Sequence, residues 1–301
     1  AVMSTASRMV TAAEGMPMIE MGSRRTSETS AVAAARAAYI AGFNATSNLQ
    51  AGQLYQIPTT GTSAHAYTLA YGPEGEEQSF YDQMVALGTD TTILVDTYNI
   101  PEGIRRAVHA ANALGVSGPG GIRIDSGDLH EETVNARALL DSLGAIDTKI
   151  VLSSDIDEYT ISEMKERGTP VDAVGAGTRV VTGSGAPTAE MVYKLVQIND
   201  TPVSKRAEGK VSTGGIKVTY REFHEDGTMA GEFFKVGTTS APFTRSQHPT
   251  QILLVNGQSG YFHQEDIEVS RARHKEQVAY LPESARLILA GDAAFTAQQT
   301  D

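Results

Sequence analysis

Gly121-Ile-Arg-Ile-Asp-Ser-Gly-Asp-Leu129 decides the fold: an apolar-rich run stops at a cluster of polar residues and passes at once into a helical pattern. It predicts a buried strand over 121–124 and a helix over 129–143 closed by Gly144, with the next apolar run at 149–152. Seven such runs recur in the first two thirds of the chain, at 17–21, 41–46, 57–60, 92–95, 121–124, 149–152 and 171–174. Helical patterns lie between them over 30–41, 101–114, 129–143 and 156–167, one opening on Pro101 and three closing on Gly115, Gly144 and Gly168. Strand and helix alternating in this way predict parallel strands joined by right-handed crossovers, as an open doubly wound sheet or a closed barrel.

In a barrel, the residues just past the C-terminal ends of the strands converge on one mouth. Here those ends read Gly22-Ser-Arg24-Arg25, Thr46-Ser47-Asn48, Gly61-Thr62-Ser63-Ala64-His65, Asp96-Thr97, Asp125-Ser126-Gly127-Asp128, Ser153-Ser154-Asp155 and Gly175-Ala176-Gly177-Thr178. Arginines, carboxylates and glycine turns gathered at one set of ends predict an anion-binding active site. Singly, each has a plainer reading. His65 suits a loop histidine as well as a phosphate-accepting nucleophile, and Arg24 and Arg25 suit a solvent-facing pair as well as a fork for a carboxylate or phosphate. Asp128 with Glu131, and Asp155 with Glu158, fit helix caps, and the Gly175–Gly177 pair fits a required turn. Asp125 has no such local explanation; its place at a strand end suits ribose hydroxyls or a hydrated magnesium ion.

Composition bounds the rest. The 301 residues suffice for one large α/β barrel or a barrel with an appendage, and 41% apolar with 20% charged residues describes a globular chain. No apolar run is long enough to span a bilayer, so no membrane role is expected. A net charge of -12 argues against nucleic acid and requires local arginines and backbone donors for any anionic substrate. The absence of cysteine removes disulfides, thiolate metal sites and cysteine nucleophiles. With no charged leader, a cytoplasmic protein is expected, and the amphipathic opening over 1–10 suggests that the sequence starts inside an element. After about Leu195 the pattern changes to strands, with a hairpin around His224-Glu-Asp-Gly227, further strands expected at 251–255 and 264–269, and a helix over 271–279.

Read together, Glu20-Met-Gly-Ser-Arg-Arg-Thr26, Gly42-Phe-Asn-Ala-Thr-Ser-Asn48, Gly61-Thr-Ser-Ala-His65, Leu87-Gly-Thr-Asp-Thr-Thr92 with Val95-Asp-Thr97, and Arg123-Ile-Asp-Ser-Gly-Asp-Leu129 resemble nicotinate phosphoribosyltransferase of the actinobacterial type. Ser153-Ser-Asp155, Gly175-Ala-Gly-Thr-Arg-Val-Val-Thr-Gly183 and Val192-Tyr-Lys-Leu195 extend the resemblance in the same order. It implies the irregular, TIM-like α/β barrel of the type II phosphoribosyltransferases over 1–196. It also implies that 197–301 contributes β-rich structure to a smaller α/β sandwich domain, in a homodimer or higher homo-oligomer.

The resemblance also implies the chemistry. Nicotinate and 5-phosphoribosyl-1-pyrophosphate would give nicotinate mononucleotide and pyrophosphate in NAD salvage. ATP would be the co-substrate, its hydrolysis coupled through a phosphohistidine at His65, and Mg2+ would accompany the pyrophosphate, with Asp125 as a candidate ligand. Substrate binding is assigned to Arg24, Arg25, Ser47, Thr62, Ser63, Arg123, Asp125, Ser126, Asp128, Asp155, Gly175, Gly177 and Thr178. Ser47 stands where nicotinamide-specific relatives carry an aspartate, which favours the acid over the amide. Arg179 replaces an expected serine, Ser27 a common histidine, and Gly214-Gly215 a proline-glycine pair. The competing readings are a nicotinamide-specific relative, another barrel enzyme acting on a sugar phosphate such as an aldolase or isomerase, and, since the family's N-terminal portion has no counterpart in the sequence, a truncated, non-catalytic homologue.

Overall fold

A computed structural model describes residues 1–188, 192–207, 210–237, 247–249, 265–289, 291 and 293–300. The chain forms two compact units, residues 1–187 and 188–301.

The first unit begins with α1 (Val2–Ala13) and β1 (Met18–Glu20), followed by a short 3-10 turn at Ser23–Arg25. Next come α2 (Glu28–Ala41), β2 (Ala45–Thr46), α3 (Leu49–Tyr55), α4 (His65–Tyr71) and α5 (Glu76–Leu87). Strict alternation then sets in, with β3 (Thr92–Leu94), α6 (Ile100–Ala113), β4 (Gly121–Ile124), α7 (Leu129–Ser142), β5 (Lys149–Leu152), α8 (Glu158–Glu166), β6 (Ala173–Ala176) and α9 (Thr178–Val181). All six strands are parallel, in the order β2-β1-β6-β5-β4-β3. The result is the expected mixed α/β fold, its curled sheet forming a half-barrel.

Its strands are short and apolar because both faces are covered. Ile93, Leu94, Ile122, Ile124, Ile150, Leu152 and Val174 are all buried, as are Ala34, Ala38, Ile104, Ala107, Leu140 and Ile161 on the helices. Burying a Leu or Ile side chain is worth ~2 kcal/mol, so this apolar layer holds the strand ends in place. The helices stop where glycine permits a left-handed turn, with Gly115 at φ 84° and Gly144 at φ 79°.

Three strand expectations in the first unit need correction. Residues 57–60 are no strand: Pro58 has no N–H to give, and Thr59 makes only an isolated parallel bridge to Thr46. The run at 41–46 is split, since Ala41 ends α2, Gly42 turns at φ 122°, and only Ala45–Thr46 pairs. The run at 171–174 moves to Ala173–Ala176 because the Asp172 side chain accepts from Ile150 N–H at 2.8 Å and precedes the ladder.

The second unit contains the two-residue pairs β7 (Gln197–Ile198) with β8 (Thr201–Pro202) and β9 (Arg206–Ala207) with β10 (Lys210–Val211). The hairpin of β11 (Lys217–Phe223) and β12 (Met229–Val236) forms as the Asp-Gly signal predicts, with Gly227 at φ 85°. β13 (Gln247–Pro249) pairs with β11, α10 (Ile267–Ala279) and α11 (Glu283–Arg286) follow, and β14 (Gln298–Gln299) pairs with β12. The expected helix at 271–279 lies inside α10. Over 265–269 the strand expected at 264–269 is overturned, because Asp266 accepts from Glu268 N–H and starts that helix, while residue 264 lies outside the described residues. Residues 251–255 lie outside the described residues.

Candidate functional site

The C-terminal ends of the parallel strands frame a cavity of about 250 Å³. Met21, Arg24 and Arg25 line it from the end of β1, Arg123 and Asp125 from β4, Ser153, Ser154 and Asp155 from β5, and Gly175, Gly177 and Thr178 from β6. Three cations, two carboxylates and a glycine wall thus share one opening, as a site for an anionic sugar requires. The arginine turn is tight: a Cβ on Gly22 would lie 2.1 Å from Val181 Cγ1, so any side chain there forces Val181 to shift.

Arg123 ties the mouth together. Its Nε donates to Ser153 Oγ at 2.7 Å, one terminal nitrogen to Thr62 Oγ1 at 2.6 Å, and the other to Asp125 Oδ2 at 3.0 Å. Ser153 Oγ donates in turn to Asp125 Oδ1 at 3.0 Å. Both Asp125 oxygens are thereby oriented while the side chain stays 21% exposed, open enough to receive a ligand.

His65 is not at a strand end. It opens α4, after a segment that Thr62 anchors to Arg123, and the pattern His-Ala-Tyr-Thr-Leu-Ala-Tyr71 continues as helix. The imidazole nevertheless reaches the mouth. Nδ1 lies 3.1 Å from Thr97 Oγ1, and Nε2 lies 3.8 Å from Asp96 Oδ1 and 4.0 Å from Asp125 Oδ2. The ring is 40% exposed and so remains open to a reactant.

Asp96 is the residue that sequence reasoning left without a role. Its Oδ2 accepts from Asp125 N–H and Ser126 Oγ–H, both at 2.8 Å, whereas Oδ1 is buried with no hydrogen-bond partner. A side chain only 1% exposed with one oxygen unmatched calls for a donor or a cation there. The signal was visible as Val95-Asp-Thr97 at the end of β3, but the burial depends on residues about thirty positions away.

Ser154 and Asp155 add strain to the same wall. Both have positive φ, 112° and 26°, in the region that favours glycine, and both line the cavity. The cap of α8 falls to Asp157, whose Oδ1 accepts from Thr160 N–H at 2.9 Å. Asp155 is therefore free of the capping role that its spacing to Glu158 suggested.

The remaining expected residues sit around this centre. Ser126 holds Asp96 as described, and Ser63 Oγ donates to Gln83 Oε1 at 2.8 Å, away from the cavity. Asp128 is exposed and caps α7, its Oδ1 accepting from His130 and Glu131 N–H at 3.0 Å each. Those bonds hold its carboxyl below the usual range, the Glu131 N–H contributing most. Ser47 is exposed at the end of β2, with its N–H donating to Glu20 O at 2.8 Å. Neither Ser47 nor Asp128 lines the cavity.

Comparison with known proteins gives a consistent set of relatives. A nicotinate phosphoribosyltransferase of Mycobacterium tuberculosis, pncB1, is 52% identical over 238 residues, covering 77% of this chain and 52% of that one. The nicotinate phosphoribosyltransferase of Bacillus subtilis is 39% identical over 216 residues, 67% of this chain and 43% of that one. The chain thus spans about half the length of these curated relatives. Among solved structures, human nicotinic acid phosphoribosyltransferase superposes with a TM-score of 0.78 at 20% identity, covering 99% of this chain and 71% of that one. At so low an identity the superposition speaks for the fold alone. No family model matches the chain.

Proposed function

Because the chain belongs to the nicotinate phosphoribosyltransferase family, we propose that its mouth joins nicotinate to 5-phosphoribosyl-1-pyrophosphate in NAD salvage. The observation that carries this reading is the set of groups converging there: Arg24, Arg25 and Arg123 with Asp125, Asp155 and His65, in a chain 52% identical to an enzyme of that name. In the reaction the nicotinate ring nitrogen forms a bond to ribose C1 with its own electron pair. The C1–oxygen bond breaks, and pyrophosphate leaves with the bonding pair. No proton need move, so the protein's task is to position the reactants and to stabilise the charge that builds on the leaving group.

The arginine turn suits the nicotinate carboxylate, because adjacent guanidiniums present planar forks to an anion. Asp125 and Asp155 suit ribose hydroxyls, and the Gly175–Thr178 turn lets backbone donors approach phosphate oxygens. Ser47 supports the acid over the amide, since serine at this position brings no charge of its own to repel nicotinate.

Magnesium fits the donors present: the unmatched Oδ1 of Asp96 and the exposed edge of Asp125 would hold it, and it would neutralise pyrophosphate charge. Among the described residues no group of three or more His, Asp or Glu side chains could hold a metal ion, so the remaining ligands would be pyrophosphate and water.

In the same reading His65 accepts the terminal phosphoryl group of ATP, with ADP leaving, and water later releases it. A phosphate on His65 would bring about two negative charges up to Asp96 and Asp125, now about 4 Å from Nε2. That repulsion is the means by which ATP would reset the mouth. The protein would act as a homodimer or higher homo-oligomer in the cytoplasm. No helix among the described residues is long and apolar enough to cross a membrane.

Incubating the complete protein with ATP labelled at the terminal phosphate tests this. Acid-labile label should appear on His65, and His65→Ala should lose both the label and the ATP-stimulated rate while keeping some ATP-independent turnover. Label persisting in His65→Ala would move the phosphate elsewhere.

A further inference from the structure

Glu20 takes no part in the chemistry above, yet it is a carboxylate buried to 1% exposure at the mouth end of β1. Among the described residues it has no ion-pair partner; both of its oxygens are held by neutral donors. Gly22 N–H donates to Oε1 and Thr46 Oγ1–H to Oε2. Burial pushes the carboxyl up from its ordinary range, and these two bonds pull it back. A side chain whose only work was to fill this space would be better apolar, because burying an unpaired charge is unfavourable.

The two donors show what the carboxylate organises. Gly22 is the first residue of the arginine turn, which closes when Arg25 N–H donates to Gly22 O at 2.8 Å. Thr46 ends β2, and its Oγ1 accepts from Asn48 N–H at 3.0 Å. Asn48 then reaches back, its Nδ2 donating to Ser23 Oγ at 2.9 Å, while its Oδ1 accepts from Ala51 N–H and caps α3. Glu20, Thr46, Asn48 and Ser23, closed through Gly22, therefore form a polar loop around the Ser23–Arg25 turn, joining two strand ends that the backbone bond from Ser47 N–H to Glu20 O also links.

We propose that Glu20 is the positioning residue for the arginine turn: through Gly22 and Thr46 it fixes the backbone that presents Arg24 and Arg25 to the nicotinate carboxylate, and so it sets affinity for the acid without touching it. This rests on the assignment of the arginine turn to nicotinate. Glu20→Gln keeps the shape but removes the charge and inverts one bond, because the Gln amide nitrogen cannot accept from Thr46. Thr46→Val removes the donor from the other side, and Thr46→Ser restores it.

In the complete protein, steady-state rates are measured for wild type, Glu20→Gln, Thr46→Val, Thr46→Ser and Arg25→Ala, with thermal midpoints by circular dichroism. Loss of one charge-assisted bond should raise the KM for nicotinate about tenfold in Glu20→Gln and Thr46→Val. kcat and the KM for 5-phosphoribosyl-1-pyrophosphate should hold within about twofold, and Thr46→Ser should behave as wild type. The inference is overturned if Arg25→Ala raises the nicotinate KM but Glu20→Gln and Thr46→Val do not. It is overturned equally if both variants lose kcat, both affinities and thermal midpoint together, which is what support of the fold alone would give. An Arg25→Ala protein with unchanged nicotinate KM would instead refute the assignment of the arginine turn on which the inference stands.

Discussion

Replacing Arg123 by alanine should destabilise the first unit by ~2–3 kcal/mol, a figure built from three contacts and one correction. Its guanidinium donates to Ser153, Thr62 and Asp125 and is only 12% exposed, so each bond is charge-assisted and poorly replaced by water. Breaking a fully buried pair by removing one partner costs about 3–5 kcal/mol. Asp125, however, is 21% exposed and keeps the Ser153 hydroxyl, so its charge is partly rehydrated and the lower figure applies. Lysine keeps the charge but reaches one acceptor instead of three, so Arg123→Lys should lose ~1–2 kcal/mol. A double-mutant cycle with Asp125→Asn should show a coupling of ~1–2 kcal/mol, since either single change removes the opposite charge that the other group faces. Native-state hydrogen exchange of amides in β4 and β5 reads these differences within the unit that contains them. An Arg123→Ala change below ~0.5 kcal/mol, or a coupling indistinguishable from zero, would show that the network is a surface contact of little weight and refute the reasoning.

Other consequences follow from backbone and cap geometry. Gly22→Ala drives a Cβ into Val181 and should cost ~1–3 kcal/mol, largely recovered in Gly22→Ala/Val181→Ala, as read by thermal melting. Ser154→Gly should relieve the positive φ of 112° and stabilise the chain by ~1 kcal/mol while lowering turnover, because the relaxed wall no longer holds Asp155; equal turnover would leave the strain without function. Asp128 has its folded pKa lowered by the bonds to Glu131 and His130 N–H, so its contribution is present above the unfolded pKa and is lost as pH falls through the folded one. Acid titration of stability should therefore be shallower in Asp128→Ala than in the parent.

Much of the fold is legible because a short strand covered on both faces has to be an apolar run bounded by breakers. Residues 92–95, 121–124 and 149–152 read as they fold for that reason. Failures came where a local signal had a competitor. Ile57-Pro-Thr-Thr60 has strand composition, yet Pro58 cannot donate to a ladder and only Thr59 bridges. Around 264–269 the Asp266 cap prevails over the apolar alternation.

Within the site, Arg24, Arg25, Asp125 and Asp155 were legible as polar stops on apolar runs. Asp96 was equally visible as a polar stop, but what marks it out, an unmatched buried oxygen facing His65, arises from bonds to Asp125 and Ser126 across the sheet. Glu20 gives no sequence signal as a positioning group, since a glutamate ending a strand looks like any solvent-facing residue until Gly22 and Thr46 close over it.

The most direct test of the central claim is a competition in which the complete protein receives equimolar nicotinate and nicotinamide with 5-phosphoribosyl-1-pyrophosphate, ATP and magnesium, and the mononucleotides formed are separated and weighed by mass spectrometry. Nicotinate mononucleotide, formed together with pyrophosphate and in large excess over the amide product, is the predicted outcome. Formation of nicotinamide mononucleotide in excess, or of neither product, would contradict it.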